Sequence, residues 1–408
     1  MTAVPHCPYR QSILLQQALA PDKMRIAFLL GAGCPVSIRL PTDPPSSSTK
    51  PLIPDIRGLT TLIHEKLSTP GEFEGDYSIL MNRFKDGIPA NPTLEDILTH
   101  IRALQDVVRE GNIDGLTKSS LAALDKEICR LTTAEVGVDL PTKKTPYHQL
   151  ATWIGGIKRE HPIEIFTPNY DLLVEQALEM HKIPYFDGFV GSKNAFFDLT
   201  SIENESLPPR WARLWKLHGS VNWWRTESEE VIRREASSDE DRQMIYPSHL
   251  KYDQSRRMPY LAMQDRLRSF LGRGQAVLIT CGYSFADQHL NEVILHGLRS
   301  NPTAICFGLL FGNRADYPEA ISKAAKHPNL SLLAADGAVL GTLDKSWKTE
   351  EQRDHPLHNV SVIKRQNNPA APEEISSEFK LGDFKYFGDF LARQLAWTGD
   401  DQVTQNAP

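Results

Sequence analysis

The feature that most constrains this chain is an apolar run that stops at a glycine turn. Residues 24–35 read MRIAFLLGAGCP, and the run 26–30 ends at Gly31-Ala32-Gly33. That is the signature of a buried strand handing over to a tight turn. Glycines at such a place let the backbone come close to a pyrophosphate and aim its N–H groups at the negative oxygens. Only half of a dinucleotide fingerprint is present, because Val36 stands where a third glycine would complete G-x-G-x-x-G.

Further along, short apolar runs alternate with helical patterns. Residues 163–166, 214–217, 276–280, 304–311 and 330–334 read as strands, the last as the final strand of the core. Residues 171–181, 287–298 and 317–325 read as the helices between them. This alternation predicts an α/β fold built on a parallel, doubly wound sheet. Between the first strand and the rest, residues 59 to 130 are mainly helical, with Leu94, Ile97, Leu98, Ile101 and Leu104 at helical spacing after Asn91-Pro92-Thr93. Residues 12–20 and 145–157 also read as helices. The Pro- and Ser-rich stretch 41–51 cannot hold a helix or a central strand and is expected to be an exposed loop, either a lid or an insertion without function. Residues 226–241 read as an exposed, charged excursion. The chain turns polar and Pro-rich from Asn367, a helix over 384–397 is placed to dock on the body or on another subunit, and the end frays from Gly399. The expected organisation is 1–58 as the first strand, glycine turn and loop, 59–160 as a mainly helical insertion, 161–345 as the rest of the core, and 346–408 as a C-terminal extension.

In an open parallel sheet, ligands sit beyond the carboxyl ends of the strands. Gly31, Thr167, His218 and Gly282 each follow directly on a predicted strand, so the fold gathers them on one rim although they are far apart in sequence. Asn169 and Asp171 begin a predicted helix, where either residue also serves as a cap. His218, one of 13 histidines, is singled out by its place at a strand end before Gly219. An imidazole takes up a proton near neutral pH. In Pro54-Asp55-Ile56-Arg57-Gly58, Arg57 reads as a residue that holds phosphate or helps close the pocket, or else Asp55 and Arg57 form a surface ion pair in a turn.

Taken in order, the glycine turn, the 54–58 cluster, Thr167-Pro168-Asn169-Tyr170-Asp171, Lys216-Leu217-His218-Gly219 and Cys281-Gly282-Tyr283-Ser284-Phe285 resemble the sirtuin fold family. That family reads GAG-x-S, PDFR, Q-N-x-D, HG and G-(T/S)-S. The likeness runs over residues 25–340 and looks closest to the bacterial sirtuin-like NADases of phage defence. The chain departs from the family at Pro35 in place of the serine, at Ile56 in place of the aromatic, and in the insertion 42–53. That insertion makes Pro41-Thr42-Asp43 a competing match to PDFR.

The resemblance implies a Rossmann-like core with a helical insertion and no zinc module. It implies NAD as substrate, cleaved to nicotinamide and ADP-ribose, with no metal. Asn169 would hold a ribose hydroxyl or a water, His218 would act as general base, and Asp171 would orient Asn169. NAD contacts would fall on Gly31, Ala32, Gly33, Cys34, Asp55, Arg57, Thr167, Gly282 and Ser284, with the Asp336-Gly337 turn approaching adenine. It further implies a homo-oligomer and a HerA-type ATPase partner. An NAD-dependent protein deacylase and a non-catalytic NAD or ADP-ribose sensor or assembly subunit are the alternative readings.

Composition narrows the field from the other side. A net charge of −6 and a pI near 6.1 exclude a dominant nucleic-acid footprint. No apolar run nears the roughly 20 residues that span a bilayer, and the N-terminal MTAVPHCPYRQS lacks an apolar core behind a basic end. The five cysteines are scattered and none forms C-x-x-C, which argues against a disulfide framework or a cysteine-rich zinc site. The expected setting is the reducing cytoplasm.

Overall fold

The computed structural model describes residues 5–20, 23–42, 48–85, 91–108, 111–204, 207–226, 228, 230–234, 242–244, 258–348, 357–368 and 371–396. Its centre is a nine-stranded sheet. In chain order the strands are β1 (Arg25–Leu30), β2 (Glu164–Thr167), β3 (Tyr185–Phe186), β4 (Ala212–Lys216), β5 (Ala276–Cys281), β6 (Ala304–Leu309), β7 (Leu330–Leu333), β8 (Gly337–Leu340) and β9 (Leu343–Ser346). Their spatial order is β9-β8-β7-β6-β5-β1-β2-β4-β3. From β3 to β7 every pairing is parallel. The chain leaves β1 toward β2 and β4, then returns to lay β5 on the other side of β1. The switch point therefore lies between β1 and β5, where such sheets open a crevice beyond the strand ends.

Strand β1 shows why the sequence takes this form. Phe28 and Leu30 face one layer, while Ala27 and Leu29 face the other, and all four are buried. A strand covered on both sides reads as an unbroken apolar run, and each fully buried side chain of this size contributes about 1.5–3 kcal/mol. One layer holds α1 (Pro8–Leu19), α2 (Ile56–Leu67), α3 (Glu74–Lys85), α4 (Leu94–Val107), α5 (Lys118–Val136), α6 (Pro146–Gly156), α7 (Leu173–Met180) and the last helix. The other holds α8 (Tyr260–Gly272), α9 (Gln288–Ser300) and α10 (Pro318–Ala324), and the final helix of the first layer is α11 (Phe384–Ala396). Phe28 is wedged between Trp153 of α6 at 5.6 Å and Phe387 of α11 at 6.0 Å between ring centroids. Of the two places open to the last helix, it takes the body of its own chain. Its Phe384, Phe387, Phe390 and Leu391 are buried, and Asp389 accepts a hydrogen bond from Gln149 at 2.6 Å.

Several boundaries move for local reasons. Helix α1 starts four residues earlier than the apolar spacing suggests, because Pro8 suits a first helical position and the Cys7 sulfur accepts from Arg10 N–H. Helix α7 starts later, since Asp171 is spent on capping Leu173 N–H at 3.1 Å. The core does not end at β7: β8 and β9 extend it as an antiparallel hairpin whose outer strand is largely exposed. A strand that short and polar, Leu-Asp-Lys-Ser, carries no periodicity signal and suits a sheet edge. The polar tail from Asn367 falls partly in a hairpin of Val362–Asn368 with Ala371–Phe379. The expected loop at 41–51 holds the ends of a small hairpin, Arg39–Pro41 with Thr49–Pro51, and its residues 43–47 lie outside the described ones. Most of the excursion expected at 226–241 and the frayed end from Gly399 also lie outside the described residues.

Candidate active site

The crevice is built where two turns lock together. Gly31 N–H donates to Cys281 O and Gly33 N–H to Gly282 O, both at 2.9 Å, while Cys34 N–H closes on Gly31 O at 3.0 Å. These amides are therefore committed inside the protein. The glycines serve above all to bring two backbones together: a side chain on Gly31 would press on Gly282 O, and one on Gly282 would meet Cys34 N at 2.5 Å. Gly282 also holds φ +65°, which favours a residue without Cβ. Ala32 is exposed between them. The Cys34 thiol is buried and donates inward to Cys281 O at 3.2 Å, and burial together with the neighbouring Cys281 pushes its pKa well up.

Thr167 ties the next three strand ends together. Its hydroxyl donates to Leu30 O at 2.7 Å and accepts from Asn169 N–H at 3.1 Å, and its carbonyl accepts Leu217 N–H at 2.8 Å. The register of β2 and β4 pairs Thr167 with Lys216. Past these residues the two chains leave the ladder but stay in contact, Tyr170 O accepting Val221 N–H at 3.0 Å. The Asn169 amide donates to Gly31 O at 3.2 Å.

Beneath this loop lies a buried charge cluster. Lys216 Nζ contacts Glu175 Oε1 at 3.1 Å and donates to the Asp171 carbonyl. Burial raises the pKa of Asp171 and of Glu175, and Lys216 pulls both back down. A charge 2% exposed holds its place only through such partners. The ammonium thus fixes the backbone that presents Asn169.

His218 is buried, and its Nε2 lies 3.3 Å from Asp287 Oδ2. Asp287 caps α9 through Oδ1, which accepts Leu290 N–H at 3.1 Å. Tyr170, next to Asn169, has its hydroxyl pKa raised by burial and by Glu95, Tyr260 and Asp287. Ser284 is exposed on the β5–α9 loop.

Asp55 and Arg57 are both exposed, and Asp55 is the N-cap of α2, its Oδ1 accepting Gly58 N–H at 2.8 Å. Among the described residues no hydrogen bond or ion pair joins either of them to the crevice. Asp336 is engaged by Arg314, whose guanidinium lies 3.2 Å away. A groove of about 1240 Å³ lies elsewhere, between α1 and the face of β5, β6 and β7 carrying Val277, Ile305 and Phe307, and includes none of the predicted site residues. No group of His, Cys, Asp and Glu placed to hold a metal is present among the described residues, and none of their helices is long and apolar enough to cross a membrane. Sequence reasoning passed over Asp287, Lys216 and Glu175. Asp287 read only as a helix start, and the Lys216–Glu175 pair is joined by tertiary packing that no spacing announces.

Fold and crevice together define a Rossmann-like α/β protein with a crevice at the switch point of its parallel sheet. Residues 163–332, which run from the start of β2 to β7, match the family described as SIR2-like domain. Among solved structures, a histidine-to-tyrosine mutant of Sir2 with a p53 peptide and NAD is 14% identical, covers 74% of this chain and 86% of its own, and gives a TM-score of 0.30. No curated protein matches the sequence.

Proposed function

We propose that this chain is an NAD+ glycohydrolase, releasing nicotinamide and leaving ADP-ribose. What supports the reading is the gathering of strand ends at the switch point: Gly31 bonds Cys281, Gly33 bonds Gly282, Thr167 bonds Leu30, Asn169 bonds Gly31, and His218 lies 3.3 Å from Asp287 of the loop after β5. The match of residues 163–332 to the SIR2-like domain supports NAD as the substrate.

The chemistry follows from the substrate. The nicotinamide of NAD+ is a cationic pyridinium and leaves as a neutral ring, so it needs no general acid. The N-glycosidic electron pair moves onto the ring nitrogen, and positive charge builds at the ribosyl carbon. Oriented polar groups in a water-poor crevice favour that charge. Asn169 holds the ribose or the attacking water, Asp171 orients Asn169, and His218 takes the water's proton as the new C–O bond forms. The locked turn of Gly31, Ala32, Gly33 and Cys34 with Gly282 and Ser284, and the strand-end Thr167, line the dinucleotide's path.

The physiological reading is an antiphage effector that depletes NAD in the cytoplasm, held in check in a homo-oligomer or by a HerA-type ATPase partner. Nicotinamide release from NAD+ is measured for the wild type, Asn169→Ala and His218→Ala, with and without that partner. Release by the wild type and loss of at least a hundredfold in both variants is expected. Binding of NAD without release under every condition refutes hydrolysis and leaves a sensor. Release that depends on an acylated peptide points to a deacylase.

A further inference from the structure

The two faces of the sheet are covered unequally. Strands β5, β6 and β7 are neighbours in space as in sequence, joined by α9 and α10. Right-handed crossovers that step in one direction put both helices on one face, here the second layer. The opposite face of β6 and β7 must therefore be covered by chain from elsewhere. Toward the carboxyl ends of the strands it is, and Leu309 and Leu333 are buried there. Toward the amino ends it opens: Ile305 of β6 is 37% exposed, and Leu14 of α1, which lines the same groove, is 38% exposed. Strand β6 is an interior strand of the sheet, and such strands in parallel sheets are covered on both faces. The exposure of Ile305 departs from that pattern.

The groove carries one sign of charge. Arg10, Arg299, Lys326 and Lys348 line it, and no Asp or Glu does so among the described residues, although the chain as a whole carries −6. Arg10, Arg299 and Lys326 are exposed, and none of the three enters an ion pair among the described residues. The side chains of Gln11, Gln17 and Ser331 also line it without a hydrogen bond among the described residues. An acyl chain would leave such polar groups unpaired, whereas a peptide can bond them. The volume of about 1240 Å³ exceeds the roughly 300–1000 Å³ of small-molecule clefts.

We propose that this groove is the docking site of a partner protein that inserts an acidic amphipathic helix. Its apolar side chains would cover Leu14, Ile305 and Phe307 and complete the layer, and its carboxylates would face Arg10, Arg299 and Lys326. Val277 and Ile305 stand near the amino ends of their strands, whereas Gly282 follows the carboxyl end of β5, so the groove opens at the end of the sheet away from the crevice.

The probe is a synthetic peptide of roughly 18 residues, long enough to hold a helix, with Leu along one face and Glu along the other. One control peptide has Lys in place of Glu, and a second has the Leu and Glu positions scrambled. Binding to the full chain is read by fluorescence anisotropy. The Glu peptide should bind, and both controls should bind about tenfold more weakly or worse. Arg299→Glu combined with Lys326→Glu should weaken the Glu peptide by about tenfold and strengthen the Lys peptide. Ile305→Asp should abolish binding of the Glu peptide, and the charge-reversal pair on exposed positions keeps the test decisive if that variant misfolds. No binding of the Glu peptide, equal binding of the Glu and Lys peptides, or an affinity unmoved by the charge reversal overturns the proposal. An oligomer that the charge reversal dissociates, seen by light scattering, makes a second copy the occupant and also overturns it. So does sedimentation with phosphatidylglycerol vesicles that the charge reversal abolishes, which makes the occupant a lipid surface. Nicotinamide release enters none of these readouts, so the hydrolase reading stands or falls separately.

Discussion

Replacing Gly282 by alanine tests the idea that the crevice depends on two interlocked turns. The new Cβ meets Cys34 N at 2.5 Å and Gly33 C at 2.9 Å, both backbone atoms that cannot swing aside. Three costs add: about 1–2 kcal/mol for a Cβ in the left-handed region, about 1–3 kcal/mol for overpacking, and about 0.5–1.5 kcal/mol as the bond from Gly33 N–H to Gly282 O is prised open. The expected loss is about 2.5–6.5 kcal/mol. Two controls separate these contributions. Gly274 also has positive φ, +58°, but nothing lies within 4 Å of its Cβ position, so Gly274→Ala isolates the conformational part at about 1–2 kcal/mol. Gly31→Ala, where only crowding against Gly282 acts, isolates the packing part at about 1–3 kcal/mol. Urea unfolding followed by tryptophan fluorescence gives the three values. If Gly282→Ala costs no more than Gly274→Ala, the turns are not interlocked and the account of the crevice is wrong.

Other outcomes follow from the buried charges and thiols. Lys216→Met leaves Glu175 and Asp171 buried without their cation and should cost about 3–5 kcal/mol at pH 7. Burial raises both carboxyls above their unfolded values, so the folded state binds their protons more tightly, and their contribution to stability is present at acid pH and lost as pH rises through the raised values. The deficit of Lys216→Met should therefore shrink between pH 7 and pH 5, and a deficit equal at both, measured by urea unfolding, contradicts the cluster. Of the five cysteines, Cys34, Cys281 and Cys306 are buried while Cys7 and Cys129 are partly exposed. Burial also pushes up the Cys34 and Cys306 thiols, so a thiol-reactive dye should label no more than two sites in the native protein and all five in denaturant. Rapid labelling of a third would mean that the Cys34 turn opens.

The parallel core was legible because strands buried on both faces leave continuous apolar runs, as 26–30 and 276–280 do, and helices between them leave 3.6-residue spacing. The short strands Tyr185–Phe186 and Leu343–Ser346 left no such mark, since their place depends on neighbours rather than on their own pattern. The strand-end rule likewise picked out Gly31, Thr167, His218 and Gly282, each of which the fold sets at the end of a parallel strand. Asp287 was not legible, because a residue that caps its own helix locally shows nothing of a contact made across two intervening strands. Motif order suggested Asp55 and Arg57, yet the local geometry of Asp55 is that of a helix cap, a role the same residue type fills for purely local reasons.

The wedging of Phe28 between Trp153 and Phe387 has a consequence for the nascent chain. Strand β1 emerges early, but the turn it needs against Gly33 is made some 250 residues later and its covering helix after that, so at about 5–20 residues per second the first strand waits on the order of tens of seconds for its neighbours. No product released before residue 384 has the last helix over β1, and the crevice itself cannot close until the Gly282 turn has been made.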